Sequence, residues 1–398
     1  MELSNFQATL VAFSSYFAYF VMALPSAVVL KSTGYKKGMA LGLCIVALGT
    51  FLFIPAAYTR VYSIFLTGLF ITASGLALIQ TAANPYIAII GPIEGTAQRI
   101  GIMGIANKTA GILSLIVLGK IFLGQADDVV ANVSTLSGME KSRALDIYAL
   151  KIVDPYLIIT IILFLVAVLI YFSRLPEVDE TLASNEDNEE PVKPKASIFH
   201  YPYLMLGIIS LFVASACETI PIDGIILYSR SLGIPVETGR HFSTYTLYVM
   251  LLGYLSVSIL VPKFISQSKA MQFAAAWGLI FTFASYATKG MYSIYSLMLL
   301  GFSASMLWGT IWGLSIKGLG KYTKKGAAML LMSVIGGGIF PVIFGRLLDV
   351  NNVHPQNAIL LLIPCYLVIM GFSSWGYRLN SWRPRLNPVK EKNIINKM

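Results

Sequence analysis

Long apolar stretches separated by short polar or charged loops occupy most of the 398-residue sequence. A helix of about 20 apolar residues is long enough to cross the hydrocarbon core of a bilayer. Eleven such stretches can be placed, at roughly 6–30, 38–58, 62–90, 99–124, 154–174, 202–230, 241–262, 270–288, 292–316, 326–348 and 357–378. The pattern therefore predicts an all-α polytopic membrane protein.

The composition supports the same class of protein. Hydrophobic residues make up 56% of the sequence and charged residues 12%, and the mean hydropathy is +0.73, whereas soluble domains carry about 25% charged residues. The formal net charge of +10 comes largely from Lys and Arg placed singly between apolar stretches. This spacing favours membrane orientation over nucleic-acid binding. We expect membrane lipid as a partner and no nucleic acid.

One polar segment, at residues 176–199, divides the chain. It combines seven acidic residues with Pro191 and Pro194, a composition typical of a mobile linker between rigid bodies. Five apolar stretches precede it and six follow it. The other long loop, at 125–153, is predicted to contain a short amphipathic helix. The predicted domains are an N-terminal transmembrane bundle at 1–175, a cytoplasmic linker at 176–199, a six-helix C-terminal bundle at 200–380 and a basic cytoplasmic tail at 381–398.

The charges of the loops predict the orientation in the membrane. If the loop at 31–37 is cytoplasmic, the alternate loops and the tail on its side carry nineteen Lys and Arg, against eight on the opposite side. Cytoplasmic loops of membrane proteins are enriched in these residues. The C-terminus is therefore predicted to be cytoplasmic and, because the number of spans is odd, the N-terminus periplasmic.

The sequence contains none of the usual motifs of energy-using or hydrolytic enzymes. It lacks a Walker A loop, a G-x-S-x-G turn and a dinucleotide-binding fingerprint. Its three cysteines and three histidines are far apart and have no metal-ligand spacing. We therefore expect no enzymatic activity, no metal and no cofactor.

Two amide side chains and a proline interrupt the third apolar stretch. Gln80 and Asn84 lie one helical turn apart and point the same way, and Pro85 leaves the carbonyl of Thr81 without its helical partner. Burial of an unpaired amide in hydrocarbon costs several kcal/mol. The two amides are therefore predicted to face a polar cavity or a ligand. The alternative is that they only hydrogen-bond neighbouring helices.

A longer run around these amides, together with shorter runs elsewhere, carries a family resemblance. Residues 79–92 read Ile-Gln-Thr-Ala-Ala-Asn-Pro-Tyr-Ile-Ala-Ile-Ile-Gly-Pro, and further runs lie at 4–8, 97–99, 106–108, 313–320 and 335–338. Together they resemble the fucose/glucose-galactose branch of the major facilitator superfamily over nearly the whole chain. The resemblance implies the major facilitator fold of two helical bundles, here with five and six transmembrane helices. It also implies sugar transport coupled to protons or another cation.

The resemblance implies roles for individual residues. Asn107 stands where the fucose-type pattern has a sugar-contacting asparagine, although Gly104 replaces a glutamine of that pattern. Gln80 replaces a glutamate of the proton-coupling machinery; an amide cannot titrate, but it can hydrogen-bond a sugar hydroxyl. Trp308 replaces a sugar-contacting tyrosine, and its indole face can stack on a pyranose ring. With Asn84, these residues form the predicted substrate site.

Two features near these residues have structural explanations. Gly104 and Gly111 flank Asn107 and allow close approach of a neighbouring helix, so a purely structural role is the alternative for Asn107. Trp312, one turn nearer the cytoplasm than Trp308, is predicted to belong to the aromatic belt at the membrane surface.

Glu218 and Asp223 are the clearest acidic residues deep in an apolar stretch. They are five residues apart, about 140° around an ideal helix, so only a break would turn both towards one cavity. Pro221, between them, supplies such a break. Because burial of an acid is costly, the pair is predicted to serve ion coupling or sugar binding. The alternative is a structural pair with Lys108.

The start of the chain suggests that the family's first transmembrane helix is missing. The number of spans is odd, the loop charges place the N-terminus outside, and residues 2–8 resemble the loop that enters the second span of the family. The alternative is an eleven-span protein with a genuine external N-terminus.

The combined prediction is a secondary active transporter of a bacterial inner membrane. It is expected to act as a monomer and to import a neutral monosaccharide, such as glucose, galactose or fucose, by proton symport with alternating access. Both acids that the fucose-type pattern uses for protons are missing here, so a sodium-coupled carrier or a uniporter is the alternative within transport. A non-transporting sugar sensor is the alternative from another class.

Overall fold

The computed structural model describes residues 5–122, 138–176, 197–349 and 354–382. Every regular element in these ranges is a helix. The predicted linker at 176–199 and the predicted tail at 381–398 lie almost entirely outside the described residues. For clarity, the described residues up to 176 are called the first part of the chain, and those from 197 onwards the second part.

The first part begins with a long kinked helix. Gly34 within it has φ 76° and ψ 177°, a left-handed conformation that glycine adopts without strain, so the helix divides into the first two predicted spans. A short helix, α5, lies in the loop at 125–153, where the sequence predicts one. The helices are α1 Asn5–Phe51, α2 Phe53–Thr59, α3 Tyr62–Ile89, α4 Thr96–Phe122, α5 Gly138–Leu150 and α6 Val153–Phe172.

The second part contains the remaining helices, several of which join end to end. A π-helical turn, Ile220–Gly224, connects α7 to α8, and a short 3-10 turn, Ser333–Ile335, connects α12 to α13. The helices are α7 Pro202–Thr219, α8 Ile225–Ser231, α9 Val236–Leu260, α10 Gln267–Ala287, α11 Met291–Ile316, α12 Thr323–Met332, α13 Gly336–Leu348, α14 Gln356–Ile359 and α15 Leu362–Ser374.

These helices account for the predicted membrane spans. Nine segments of the described chain are long and apolar enough to cross a membrane. The first of them, Ser14–Thr59, contains two predicted spans on either side of Gly34. Helix α4 corresponds to the fourth predicted span; it is 27 residues long but carries Arg99 and Lys108. Each of the eleven predicted stretches therefore coincides with helix.

The main hydrophobic core lies in the second part of the chain. Trp312, Tyr228 and Tyr366 are its largest wholly buried side chains, and Ala97 and Ile100 at the start of α4 pack into the same cluster. Helix α6 is the opposite case, because Ala167 is its one buried residue and its other described side chains are partly or fully exposed. An apolar helix with so little buried surface is suited to contact with lipid.

An arginine joins the end of α3 to the start of α4. The Arg99 guanidinium donates hydrogen bonds to the carbonyl oxygens of Ile87 at 2.7 Å, Ala88 at 2.8 Å and Pro92 at 2.9 Å. The Ile87 and Ala88 carbonyls belong to the last turn of α3, where carbonyls lack helical partners and a cation is favoured by the helix dipole. The end of the bundle where α3 ends and α4 begins is called the Arg99 end below.

Helix α4 packs closely on the second part through glycine. A Cβ added at Gly104 would clash with the aromatic ring of Tyr254 on α9, and one added at Gly101 would meet Ser258 and Val257 of the same helix. Gly309 on α11 likewise contacts Ala97 on α4. Small residues at these points let the helices approach closely, which is the main source of packing between helices in a membrane.

Replacement of Gly104 by Ala is expected to lower the stability of the purified protein, because the new methyl group meets the Tyr254 ring. Gly111, on the same helix, has no atom within 4 Å of an added Cβ and is the matched control. Alanine favours the helix by about 1 kcal/mol at both sites, whereas overpacking costs roughly 1–3 kcal/mol. The thermal midpoint in detergent should fall for Gly104→Ala and stay or rise for Gly111→Ala. Equal midpoints would contradict the packing of α4 on α9.

Candidate functional site

An ion pair joins the two parts of the chain in the interior of the membrane. Lys108 Nζ of α4 lies 2.8 Å from Glu218 Oε1 of α7, and the two side chains are 16% and 25% exposed. Lys108 lies about 18 Å along its helix from the Arg99 end, and Glu218 about 24 Å. Lys108 thus lies near the middle of α4, and Glu218 near the middle of the candidate membrane span Pro202–Ser231. The structural pair that the sequence left as an alternative is therefore present.

Asp223 is brought to the same region by the break in its helix. The π-helical turn Ile220–Gly224 contains Pro221, at the position where the sequence predicts a break, and a π-helical turn closes its hydrogen bonds between residues five apart. Asp223 interacts electrostatically with Glu218 and Lys108. Its side chain is exposed and has no hydrogen-bond or ion-pair partner among the described residues. The three charges therefore form one cluster in which a single carboxylate is unmatched.

Three tyrosines that the sequence did not single out lie near this cluster or near Gln80. Gln80 Nε2 donates a hydrogen bond to the hydroxyl of Tyr19 at 3.1 Å. Tyr16, one turn earlier on α1, packs against Gly337 and Gly338 of α13. The tyrosines also interact electrostatically: Tyr16 with Tyr19, Glu218 and Asp223, and Tyr254 of α9 with Glu218. The one available signal was that Tyr16 and Tyr19 are three residues apart and so share a face of the first span.

The other predicted site residues have different surroundings. Asn84 is 2% exposed and its Nδ2 has no partner in the described part of the chain. Asn107 is exposed on α4, and no described residue hydrogen-bonds its amide. Trp308 is half-buried, with its ring centroid 6.3 Å from that of Trp312. Within the described ranges, no hydrogen bond joins any of these three side chains to Gln80 or to the charge cluster.

The prediction for Trp312 is wrong. Its side chain is wholly buried in the main core, whereas a residue of the aromatic belt would meet the membrane surface. The reason is the position of α11, which buries nearly every side chain from Ser303 to Ile316 and so has no lipid-facing side at this level. Trp312 is a core residue.

Several contacts close the Arg99 end between the two parts of the chain. Gln98 of α4 donates a hydrogen bond at 2.8 Å to the carbonyl of Ser258, at the end of α9. Gln267, at the start of α10, donates one at 2.6 Å to the carbonyl of Ile93. Lys317 Nζ lies 3.7 Å from Glu94 Oε1. At deeper levels α4 exposes the polar or small residues Asn107, Ala110, Gly111 and Ser114 as well as the apolar Leu113 and Val117.

The described residues do not bring together three or more His, Cys, Asp or Glu side chains that could hold a metal ion. Cys217 and Cys365 are buried, and both, like Cys44, carry unoxidised thiols. The chemistry of the site is therefore that of amides, hydroxyls, an indole, two carboxylates and one ammonium group. Such groups bind neutral polyols and small cations.

Spans joined by short turns, with charged and amide side chains in the interior, are typical of membrane transport proteins. The sequence profile of the Major Facilitator Superfamily matches residues 2–345. The chain belongs to this superfamily and is a multi-pass membrane protein. Its family is one of transporters, not of enzymes.

Relatives of known function place the chain more closely. A glucose/galactose transporter of Brucella abortus biovar 1 (strain 9-941) is 30% identical over 379 residues, covering 94% of this chain and 86% of the relative. An L-fucose-proton symporter of Escherichia coli K12 is 30% identical over 388 residues, covering 93% of this chain and 85% of the relative. The chain is thus a sugar transporter of the superfamily related to these two groups, and the resemblance seen in the sequence is confirmed.

A solved structure agrees with this relationship. The crystal structure of FucP, a Major Facilitator Superfamily transporter in the outward conformation, matches with a TM-score of 0.80 and 26% sequence identity. The match covers 94% of this chain and 91% of that chain. The fold class predicted from the sequence is therefore correct.

Proposed function

We propose that the protein imports a neutral monosaccharide, a hexose or a 6-deoxyhexose, by symport with a proton. The observation that carries this proposal is the charge cluster of Lys108, Glu218 and Asp223 between the two parts of the chain. The relatives of the protein that are named as a glucose/galactose transporter and an L-fucose-proton symporter support both the class of substrate and the coupling to protons.

The sugar site in this proposal consists of Gln80, Asn84, Asn107 and Trp308. Amides can donate to and accept from sugar hydroxyls, and the exposed amide of Asn107 is available for such bonds. The unpaired Nδ2 of Asn84 is costly while it stays buried, and a sugar hydroxyl would satisfy it once the site rearranges. The half-buried ring of Trp308 offers a surface for stacking on a pyranose ring.

Coupling follows from the charge of the cluster. Lys108, Glu218 and Asp223 carry a formal net charge of −1 when ionised, and one proton or other monovalent cation neutralises them. Because a net charge is costly inside a membrane, the loaded neutral form can be occluded more readily than the unloaded form. Gln80 cannot take up a proton, so the carrier must be a carboxylate. A sodium ion would satisfy the same charge balance and is the second candidate.

The closed Arg99 end supports an alternating-access cycle. We propose that the bundles at 1–175 and 200–380 move as two bodies, joined by the linker at 176–199 and followed by the tail at 381–398. The charge bias of the loops assigns the Arg99 end to the cytoplasm and the N-terminus of this chain to the periplasm. The contacts of Gln98 and Gln267 across this end would then break when sugar is released into the cytoplasm. In this proposal the carrier is a monomer in the inner membrane of a bacterial cell.

Uptake of labelled D-glucose, D-galactose and L-fucose by cells expressing the protein tests this function. At least one sugar should accumulate above its external concentration, and a protonophore should reduce accumulation to simple equilibration. Removal of sodium should have no effect. Loss of accumulation without sodium would favour sodium symport, and equilibration that never exceeds the external concentration would favour uniport. If the protein binds one of these sugars but takes up none of them, it is a non-transporting sensor, and the proposal is contradicted.

Replacement of Asn107 by Ala is expected to weaken sugar binding while the fold is kept. One hydrogen bond to a neutral group contributes about 0.5–1.5 kcal/mol, so KM for the transported sugar should rise roughly twofold to tenfold. Thr109 is also exposed on α4, two residues away, and Thr109→Ala is the matched control. KM should rise for Asn107→Ala and stay unchanged for Thr109→Ala, and the two variants should give equal amounts of folded protein. An unchanged KM for Asn107→Ala would remove this residue from the site.

A further inference from the structure

The two carboxylates of the charge cluster are not equivalent, and the difference assigns them different roles. Resting on the proposed function, we propose that Asp223 alone takes up the coupling cation, whereas Lys108 and Glu218 form a fixed ion pair that positions it. Glu218 is then a positioning residue rather than a second carrier.

Glu218 is already matched by a cation. The distance of 2.8 Å between Lys108 Nζ and Glu218 Oε1 is that of a charge-assisted hydrogen bond. The ammonium group is tethered to α4, so a mobile cation must displace a partner that cannot diffuse away. Removal of one member of a buried pair leaves a charge without compensation, which is strongly destabilising. Glu218 is therefore poorly suited to load and release a cation in every cycle.

Asp223 has the opposite properties. It is exposed, whereas three quarters of the Glu218 side chain is covered. No described residue forms a hydrogen bond or an ion pair with the Asp223 carboxylate. It lies in a π-helical turn containing Pro221, and π-helical turns inside helices are frequent at functional sites. A carboxylate that is both accessible and unmatched is the group that a cation reaches first.

Groups on several helices determine the electrostatic surroundings of Asp223. Glu218 repels its charge and Lys108 of α4 attracts it. From α1, the Tyr16 hydroxyl interacts with both carboxylates, and from α9, the Tyr254 hydroxyl interacts with Glu218. Lys108 and Glu218 cancel each other, so the net charge that the cycle must neutralise is the charge of Asp223.

This charge balance predicts opposite outcomes for two sets of substitutions. In Asp223→Asn the remaining Lys108 and Glu218 are neutral together, so the cluster needs no cation and transport becomes uncoupled. In the double variant Lys108→Met/Glu218→Gln, Asp223 remains as one unmatched charge, so one cation is still required. The single variant Lys108→Met leaves two carboxylates without their cation and should fold poorly.

The test measures sugar transport and folding for each variant, with labelled D-glucose, D-galactose and L-fucose as probes. For Asp223→Asn, the ratio of internal to external sugar should fall to one, while exchange of external for internal sugar continues. Lys108→Met should give at least tenfold less monodisperse protein in detergent than the wild type. The double variant should restore this yield to within about twofold and keep a ratio above one under a proton gradient.

Two results would overturn the inference. One is wild-type accumulation by Asp223→Asn; the other is a double variant that folds but only equilibrates sugar, which would make Glu218 a carrier. If the wild type itself transports none of the three sugars, the proposed function fails. The folding comparison still tests the fixed pair in that case, because equal yields of Lys108→Met and wild type would contradict it.

Discussion

A charge inside a bilayer has to be matched, and in this protein that constraint connects the two parts of the chain. The ammonium group of Lys108 and the carboxylate of Glu218 come from different parts and meet at 2.8 Å, and most of each side chain is covered. Loss of either partner would leave the other, largely covered charge without compensation, which is costly. Helix α4 packs on α9, and its glycine contacts with Tyr254 bring Lys108 within reach of Glu218 on α7.

The same pair is compatible with movement. In the proposed cycle the pair can persist while the Arg99 end opens, because it lies near the middle of the helices rather than at that end. The contacts at the Arg99 end are of another kind: single hydrogen bonds from Gln98 and Gln267 and an ion pair between exposed side chains. Exposed ion pairs and single neutral hydrogen bonds each contribute only about 1 kcal/mol. The contacts at this end are therefore individually weak and easily broken.

The spans could be predicted from the sequence because hydrophobic length is a one-dimensional property, and the break at Pro221 could be predicted because proline removes a backbone donor. The hydrophobic pattern does not show which helices become neighbours. The tyrosines around Gln80 and Glu218 were missed because their importance depends on α1 lying against α3 and α13. Trp312 was misplaced for a related reason: a helix that is apolar all round gives no sequence signal of whether a given side faces lipid or protein. Lys108 was an intermediate case, since a pair with the acids at 218 and 223 was an alternative from the sequence but the choice of Glu218 over Asp223 was not indicated.

The central claim, that the Arg99 end must open for sugar to pass, is tested most directly by cross-linking Glu94 to Lys317. Both side chains are more than half exposed and lie 3.7 Å apart across this end. In a background where Cys44, Cys217 and Cys365 are Ser, the substitutions Glu94→Cys and Lys317→Cys would be joined with a short reducible bifunctional thiol reagent. The account predicts that sugar uptake stops on cross-linking and returns after reduction, while each single-cysteine variant keeps its uptake. Full uptake by the cross-linked protein would contradict it.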